Sequence, residues 1–477
     1  MNRRKFLGQA PCAALSSISV LNTLLNLKLA TNASAQGLLP GTDRKALVCL
    51  FLQGGNDSFN MLVPRGAEYP AYATARSNMA LAEASLRTLD QLPAGDGRLY
   101  GLHPAMPQLQ AMFNGTGNFA GTRRAAFVAN VGTLVQPTTL AQYHAGSVPL
   151  PKALFSHSDQ IDQWQTSVPQ GLAQLTGWAG RMADVIHSAA NTQQVSMSFA
   201  MGGTNVLQVG NSTEQFVISP SGSLAFSDST NAANLFAVKN RALKSLMEQT
   251  YANTVEESFA RVTKGSVQAQ ENFQTAFTGA TLSSAVEALW PAGNYVATNL
   301  RAVLKTILAR QNLGLRRQTF FVSFGGHDLH GELLNAQNGL LGLLDGALGA
   351  FQRALELSGL ANDVVTFTCS DFGRTLRSNG RGTDHAWGGN AIVMGGPVQG
   401  GRIFGTYPQF NQVGADLFGP LDVGYGGRML PTTSVDAYFA EMLRWFGVSS
   451  TSMPYILPNV ANFWNPASVT PPLGFLA

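Results

Sequence analysis

Carboxylates and imidazoles are the side chains that hold Zn²⁺, Ca²⁺, Mg²⁺ or Mn²⁺, and four short clusters of them stand out in this chain. They are Asp57, Asp328 with His330, Asp371, and Asp384 with His385, each lying at or beside the end of an apolar run. Any one alone reads most simply as a capped loop residue or a surface acid. Together they supply enough ligands for one divalent ion, or for two. A catalytic metal site leaves one position open for water or substrate, so the expected chemistry is metal-assisted attack on a polarised bond.

The runs that would position these groups are short and continuous, rich in β-branched and aromatic residues, and bounded by glycine. Residues 45–52 lead to Asp57, residues 318–324 to Asp328 and His330, and residues 363–369 to Asp371. Runs of this kind read as strands buried on both faces. The fourth cluster instead precedes such a run, at residues 391–394, and reads as a glycine-flanked loop. In an open α/β sheet the strand ends deliver side chains to one shared crevice. A helix near 106–113 and a strand at 125–130 continue the alternation that marks a mostly parallel sheet with crossover helices. Apolar spacing of three and four residues predicts covering helices at 300–309 and 340–357, and a capping signal opens a last helix within 431–446. Between residues 185 and 299 Ser, Thr, Asn and Gln become frequent; short strand-like pieces at 195–201 and 216–219 precede helical patterns over 235–277. That segment reads as a cap or insertion over the sheet, or as a packing layer. Residues 36–477 are expected to form a single α/β domain.

The N-terminus carries Arg3, Arg4 and Lys5, then a modestly apolar stretch, then Ala33-Ser34-Ala35. This reads as a twin-arginine signal over residues 1–35, cleaved before Gln36, with a periplasmic or secreted product. Lys28 and several polar residues interrupt the stretch, so no integral span is expected after cleavage. The whole chain has 31 basic and 27 acidic residues; the signal holds four bases and no acid, which leaves 27 against 27. No basic block remains for nucleic acid or an anionic bilayer. After cleavage Cys49 and Cys369 are left, both inside predicted buried strands, where a thiol behaves as a small hydrophobe. A Gly-x-Ser-x-Gly elbow, a His-Glu-x-x-His helix and a phosphate-loop lysine are all missing from the sequence. Gly115 to Gly121 does not fit a dinucleotide fingerprint.

With these residues in hand, the chain resembles a known bacterial group. Gly54-Gly55-Asn56-Asp57, Phe155-Ser156-His157, Gly325-Gly326-His327-Asp328-Leu329-His330, Asp371-Phe372-Gly373-Arg374-Thr375 with Asn379-Gly380, and Gly382-Thr383-Asp384-His385 are similar to motifs of the exported family of unknown function numbered fifteen-oh-one. That family is placed by similarity in the alkaline phosphatase and sulfatase superfamily. The resemblance spans nearly the whole mature chain and implies an alkaline-phosphatase-like, doubly wound sheet with helices on both faces and metal ligands at strand ends. Carried across, Asp57 resembles the acid after the first strand, Asp328 with His330 the pair of the first metal site, Asp371 the acid of the second, and His385 the late histidine. The sequence departs from the pattern in three places. The Asp328–His330 pair is spaced closer than usual, Phe372 stands where a histidine often follows the acid, and His327 replaces the closer family's common tryptophan. These departures favour one metal over two.

The resemblance also implies a nucleophile at a helix start, where amide groups and the dipole favour negative charge. Ser156 is the candidate to attack, with His157 as ligand, base or donor; an ordinary helix cap by Ser156 or Ser158 is the alternative. Arg374 could fork onto a phosphate or sulfate oxygen, or instead pair with Asp384. No remaining cysteine suits a formylglycine-type site. The two functions expected are an exported metal-dependent hydrolase of phosphate or sulfate esters, and a non-catalytic, metal-stabilised protein of cell-envelope assembly or adhesion. The partner is accordingly a small anionic ester or an envelope component.

Overall fold

The computed structural model describes residues 43–92, 96–171, 175–191, 195–223, 235–411, 417–424 and 426–477; the signal expected over residues 1–35 lies outside them. In chain order the strands are β1 (Lys45–Leu52), β2 (Leu62–Arg65), β3 (Arg87–Thr88), β4 (Leu99–Leu102), β5 (Ala125–Gly132), β6 (Ser198–Met201) and β7 (Phe216–Ser219). They continue with β8 (Gly222–Ser223), β9 (Arg317–Phe324), β10 (Val364–Ser370), β11 (Gly389–Gly395), β12 (Ile403–Gly405) and β13 (Thr433–Ser434).

The main sheet runs β12-β5-β11-β10-β1-β9-β6-β7-β8, with β13 also on β5. Its centre, from β10 through β1, β9 and β6 to β7, is parallel. Antiparallel pairs occur at β10–β11, β11–β5 and β7–β8. This is the doubly wound, mostly parallel α/β sheet expected. β1 is buried along nearly its whole length, which requires cover on both faces. A small antiparallel sheet, β2-β4-β3, lies beside it.

Local sequence explains the cover. In the helix Val435–Phe446, Ser434 accepts the Ala437 amide at the start and Gly447, at φ 102°, ends it in the left-handed region, where glycine carries no Cβ penalty. One face of this helix stacks Phe439 on Trp178 at 4.5 Å between centroids, and Trp178 also meets Phe367 of β10. Cys49 and Cys369 sit on neighbouring strands with their sulfurs 4.0 Å apart, both buried.

The mid-chain segment supplies β6, β7 and β8 to the main sheet, and only then the helices Leu235–Met247 and Thr254–Gly279. The strands of this segment, β6 to β8, therefore extend the sheet. The segment's short apolar pieces fit a cap as well as a sheet, and β6 finds a parallel partner in β9. Part of this segment, residues 192–194 and 224–234, lies outside the described residues.

Candidate metal centre

The three acid-bearing loops leave the sheet at one level. Leu52 at the end of β1 pairs with Phe324 of β9 on one side and with Ser370 of β10 on the other. The loops then fold over each other closely. Gly54 has φ 115°, and a Cβ there would stand 2.5 Å from the Asp328 amide nitrogen; only glycine allows the β1 loop to approach the β9 loop so nearly. The fourth cluster is drawn in by a bridge between Arg374 and His385, with the Thr375 amide donating to the Asp384 carbonyl at 2.9 Å.

His157, Asp328 and His385 present ligand atoms that all lie within 4.8 Å of one another. His330 adjoins them: its Nε2 is 3.0 Å from Asp328 Oδ1 and 3.0 Å from His385 Nε2. Each imidazole has its other nitrogen fixed by an oxygen. His157 Nδ1 lies 2.7 Å from Asp371 Oδ2, His330 Nδ1 lies 3.1 Å from Asp384 Oδ1, and His385 Nδ1 lies 2.8 Å from the Phe155 carbonyl. A carbonyl or an ionised carboxylate only accepts, so each Nδ1 must carry the hydrogen. In the neutral rings all three Nε2 atoms then turn lone pairs toward Asp328. This is the arrangement in which outer oxygens orient ligating histidines.

The same contacts sort the expected ligands into inner and outer positions. Asp371 is fully buried; its Oδ1 accepts the Gly54 amide at 3.0 Å and its Oδ2 holds His157. Burial raises its pKa, partly opposed by His157 and the Gly54 amide. Asp384 accepts from Asn379 as well as from His330; burial works against its charge, but these two partners hold its pKa below the ordinary range. Both acids thus stand behind histidines instead of at the centre. Burial also opposes the Asp328 charge, yet Arg374, His330 and His157 together lower its pKa. Burial lowers that of His385.

Two expectations change more sharply. Asp57 does not join the cluster. Its Oδ2 pairs with Arg76 at 2.6 Å, both side chains being essentially buried, while its Oδ1 accepts the Asn60 amide. It caps the short helix Ser58–Met61 and ties the β1 loop to Arg76, which in turn donates to the Thr375 carbonyl at 3.0 Å. Nothing in residues 69–76 distinguishes Arg76 from a helical surface arginine. Arg374 likewise is not an open anion clamp. It is fully buried and bonds Asp328 Oδ1 at 2.6 Å, the Gly54 carbonyl, and the Thr383 hydroxyl and carbonyl. Its acidic partner is Asp328, not Asp384, because the bridge with His385 carries the guanidinium under the β9 loop.

Ser156 opens the helix His157–Thr166 without a side-chain cap bond; its hydroxyl donates to Asp159 Oδ2 at 2.5 Å. The preceding Phe155 has φ 72°, a costly conformation for a bulky residue. Arg428 covers its ring at 4.2 Å and donates to the His385 carbonyl. Phe155 stands in the Phe155-Ser156-His157 motif, but its part is played by a backbone carbonyl, which no side-chain pattern reveals, and Arg428 acts from across the fold. Phe372 lines the centre, its ring 4.8 Å from that of His157 and 4.6 Å from that of His385.

The donor set suits a divalent cation. His385 Nε2 and His330 Nε2 approach to 3.0 Å; between neutral rings with their hydrogens on Nδ1 that contact is repulsive, and a shared cation converts it into coordination. Among the described residues no helix is long and apolar enough to cross a membrane.

Sheet and cluster define an α/β protein with a carboxylate–imidazole centre at the carboxyl ends of its strands. The chain belongs to the family described as "Protein of unknown function (DUF1501)", whose model matches residues 44–417. No curated protein matches it. Among solved structures it is similar to a protein in the alkaline phosphatase superfamily from Vibrio parahaemolyticus, at 12% identity over 74% of this chain and 60% of that one, TM-score 0.29. It is also similar to the PsFucS1 sulfatase from Pseudoalteromonas sp., at 9% identity over 90% and 72%, TM-score 0.35. The alkaline phosphatase from the Antarctic bacterium TAB5 shares 9% identity over 76% and 95%, TM-score 0.27. The chain thus spans less than two thirds of the first of these structures.

Proposed function

We propose that the protein is an exported hydrolase of phosphate or sulfate esters that works with one zinc-class divalent ion. The observation that carries this reading is the convergence of three oriented Nε2 atoms on Asp328 in a centre open to solvent. Asp328 and His330 are 44% and 45% exposed, and His157 is 33% exposed. A catalytic zinc site keeps access for water or substrate and can expand to five ligands, so this exposure lets water join even with His330 in the set. Imidazole-rich sets suit zinc and its transition-metal neighbours better than Ca²⁺ or Mg²⁺. When bound, such an ion would supply Lewis acidity toward an ester oxygen.

The chain's own residues do the rest. His157, Asp328 and His385 would hold the ion, with His330 at the edge. Asp371, Asp384 and the Phe155 carbonyl keep the three rings in the ligating tautomer. Arg374 fixes Asp328 from below and leaves its second oxygen, Oδ2, facing His157 at 3.5 Å. Ser156 is the candidate attacking hydroxyl, and Asp159 already accepts its hydrogen. Phe372 excludes water from one side of the rings. Export by the twin-arginine route belongs to this reading and rests on the N-terminal arginine pair and the Ala33-Ser34-Ala35 sequence.

The test is turnover of para-nitrophenyl phosphate and sulfate by native, metal-replete protein. His385→Ala should abolish it together with metal binding, while Ser156→Ala should abolish it and leave metal content intact. Metal retained with no turnover of any ester would instead favour the non-catalytic envelope protein.

A further inference from the structure

The helix that starts at the metal centre also walls a second space. His157, Ile161 and Gln165 lie at successive four-residue steps of the helix His157–Thr166 and so share one face. Ile161, Asp162 and Gln165 line a cleft of about 310 Å³ together with Phe51, Gln53, Phe321 and Ser323. Along the helix, Gln165 is about 12 Å beyond His157 at 1.5 Å per residue. Gln53, which also lines the cleft, accepts the amide of His327, the residue before Asp328, at 3.1 Å, so cleft and centre adjoin through both this loop and the helix.

Ser323 shows that this space is a real opening in the sheet cover. β9 is an interior strand flanked by β1 and β6, and its residues are buried except Ser323. Phe51 pairs with Ser323 across β1–β9, and Phe321 lies two residues earlier on the same face. The two rings, 5.8 Å apart, form an apolar floor. Around that floor stand polar groups with unused capacity. Gln165 accepts the Val206 and Leu207 amides through Oε1, which leaves its Nε2 hydrogens to donate. Gln53 likewise engages Ser323 through Oε1 only, at 3.3 Å. Among the described residues Asp162 makes no ion pair, and the lining holds neither Lys nor Arg. A carboxylate, two amide donors and a hydroxyl over aromatic rings match a neutral ligand dense in hydroxyl groups. They repel an anion, which would face Asp162 with no cation to offset it, and they would leave an apolar ligand with unpaired polar walls. The volume lies at the small end of the range for ligand sites, roughly 300–1,000 Å³.

We infer that this cleft is a saccharide subsite, which binds the uncharged, polyhydroxylated group of an ester whose anionic end faces the metal centre. The link to an ester rests on the proposed hydrolase reading; binding of the neutral sugar does not. The subsite assigns sugar esters as the substrate class and makes Asp162, Gln165 and Ser323 specificity residues.

Saturation-transfer NMR on the full mature protein tests it, with methyl glucoside, methyl galactoside and maltotriose as neutral probes and gluconate and benzyl alcohol as controls. Wild type should give transfer from at least one neutral saccharide and weaker transfer from both controls. Ser323→Trp, which fills the opening from an exposed position, should remove that transfer. Asp162→Ala, which empties one side without crowding, should weaken binding by about tenfold, the size of one or two lost hydrogen bonds. His385→Ala should leave sugar binding unchanged. The inference is overturned if no neutral saccharide binds wild type, or if Ser323→Trp binds as well as wild type. Ester turnover without sugar binding would remove the subsite and keep the hydrolase. Sugar binding without turnover would keep the subsite and remove the hydrolase.

Discussion

His330 Nε2 stands 3.0 Å from His385 Nε2 while each ring gives its Nδ1 hydrogen to an oxygen, one on Asp384 and one on Phe155. In neutral rings two lone pairs face across this short gap, and a shared divalent cation relieves that repulsion; burial lowers the pKa of His385. We expect native protein to contain one zinc-class ion per chain by elemental analysis. Adding that ion to stripped protein at about one hundred times its Kd should stabilise the fold by about 2.7 kcal/mol. Protein that refuses divalent ions across this range would remove the centre.

Asp371 controls the His157 ring through one oxygen and accepts the Gly54 amide with the other. Asp371→Asn keeps the shape but can donate to Nδ1 and so turn the lone pair away from the centre. Competition with a chelator should show affinity lower by about 10–100-fold with the fold retained. Asp384→Asn, at a half-exposed position, should lose less. Equal affinity in Asp371→Asn and wild type would show that Asp371 does not set the tautomer.

The pair Asp57–Arg76 acts as a strut under the β1 loop and not as part of the centre. Asp57→Ala leaves a buried guanidinium unpaired and should cost about 3–5 kcal/mol in denaturant unfolding. The folded fraction should still bind one ion. Loss of metal from well-folded Asp57→Ala protein would return Asp57 to the ligand set.

Asp436 is fully buried in the first turn of the helix 435–446, and burial pushes its pKa up to about 7. An acid whose folded pKa is raised contributes stability in full below its unfolded value, near 3.8, and loses it as pH climbs through the folded value. Wild type should therefore lose stability between about pH 4 and 7, on the order of a few kcal/mol. Asp436→Asn should flatten that slope in urea midpoints measured across the range. A wild-type slope that Asp436→Asn leaves untouched would assign the pH dependence elsewhere.

Much of the scaffold was legible in the chain. β1, β9 and β10 announce themselves as apolar runs closed by glycine, and the helix at 435–446 by its serine cap, because these signals are local and backbone-driven. The sequence also indicated that acids and histidines follow these runs, and ordered motifs such as Asp328-Leu329-His330 and Asp384-His385 marked them out. β6 and β7 were visible as strands, but membership in the main sheet was not, because a pairing between residues more than a hundred positions apart leaves no local trace.

By itself, then, the sequence determined the strands, the end of the sheet at which polar groups gather, and the types of those groups. Tertiary structure decided which of them meet. His157, Asp328, His330 and His385 converge because the β9 loop, the 382–389 loop and the start of helix 157–166 cross at one point. Asp57 turns away because it finds Arg76 in a dry interior, where an unpaired ion is costly, and Arg374 is withheld from substrate because it is buried against Asp328. Whether a carboxylate ligates, orients or braces depends on its neighbours in space, and those come from segments up to 326 residues apart, as in Thr383 and Asp57.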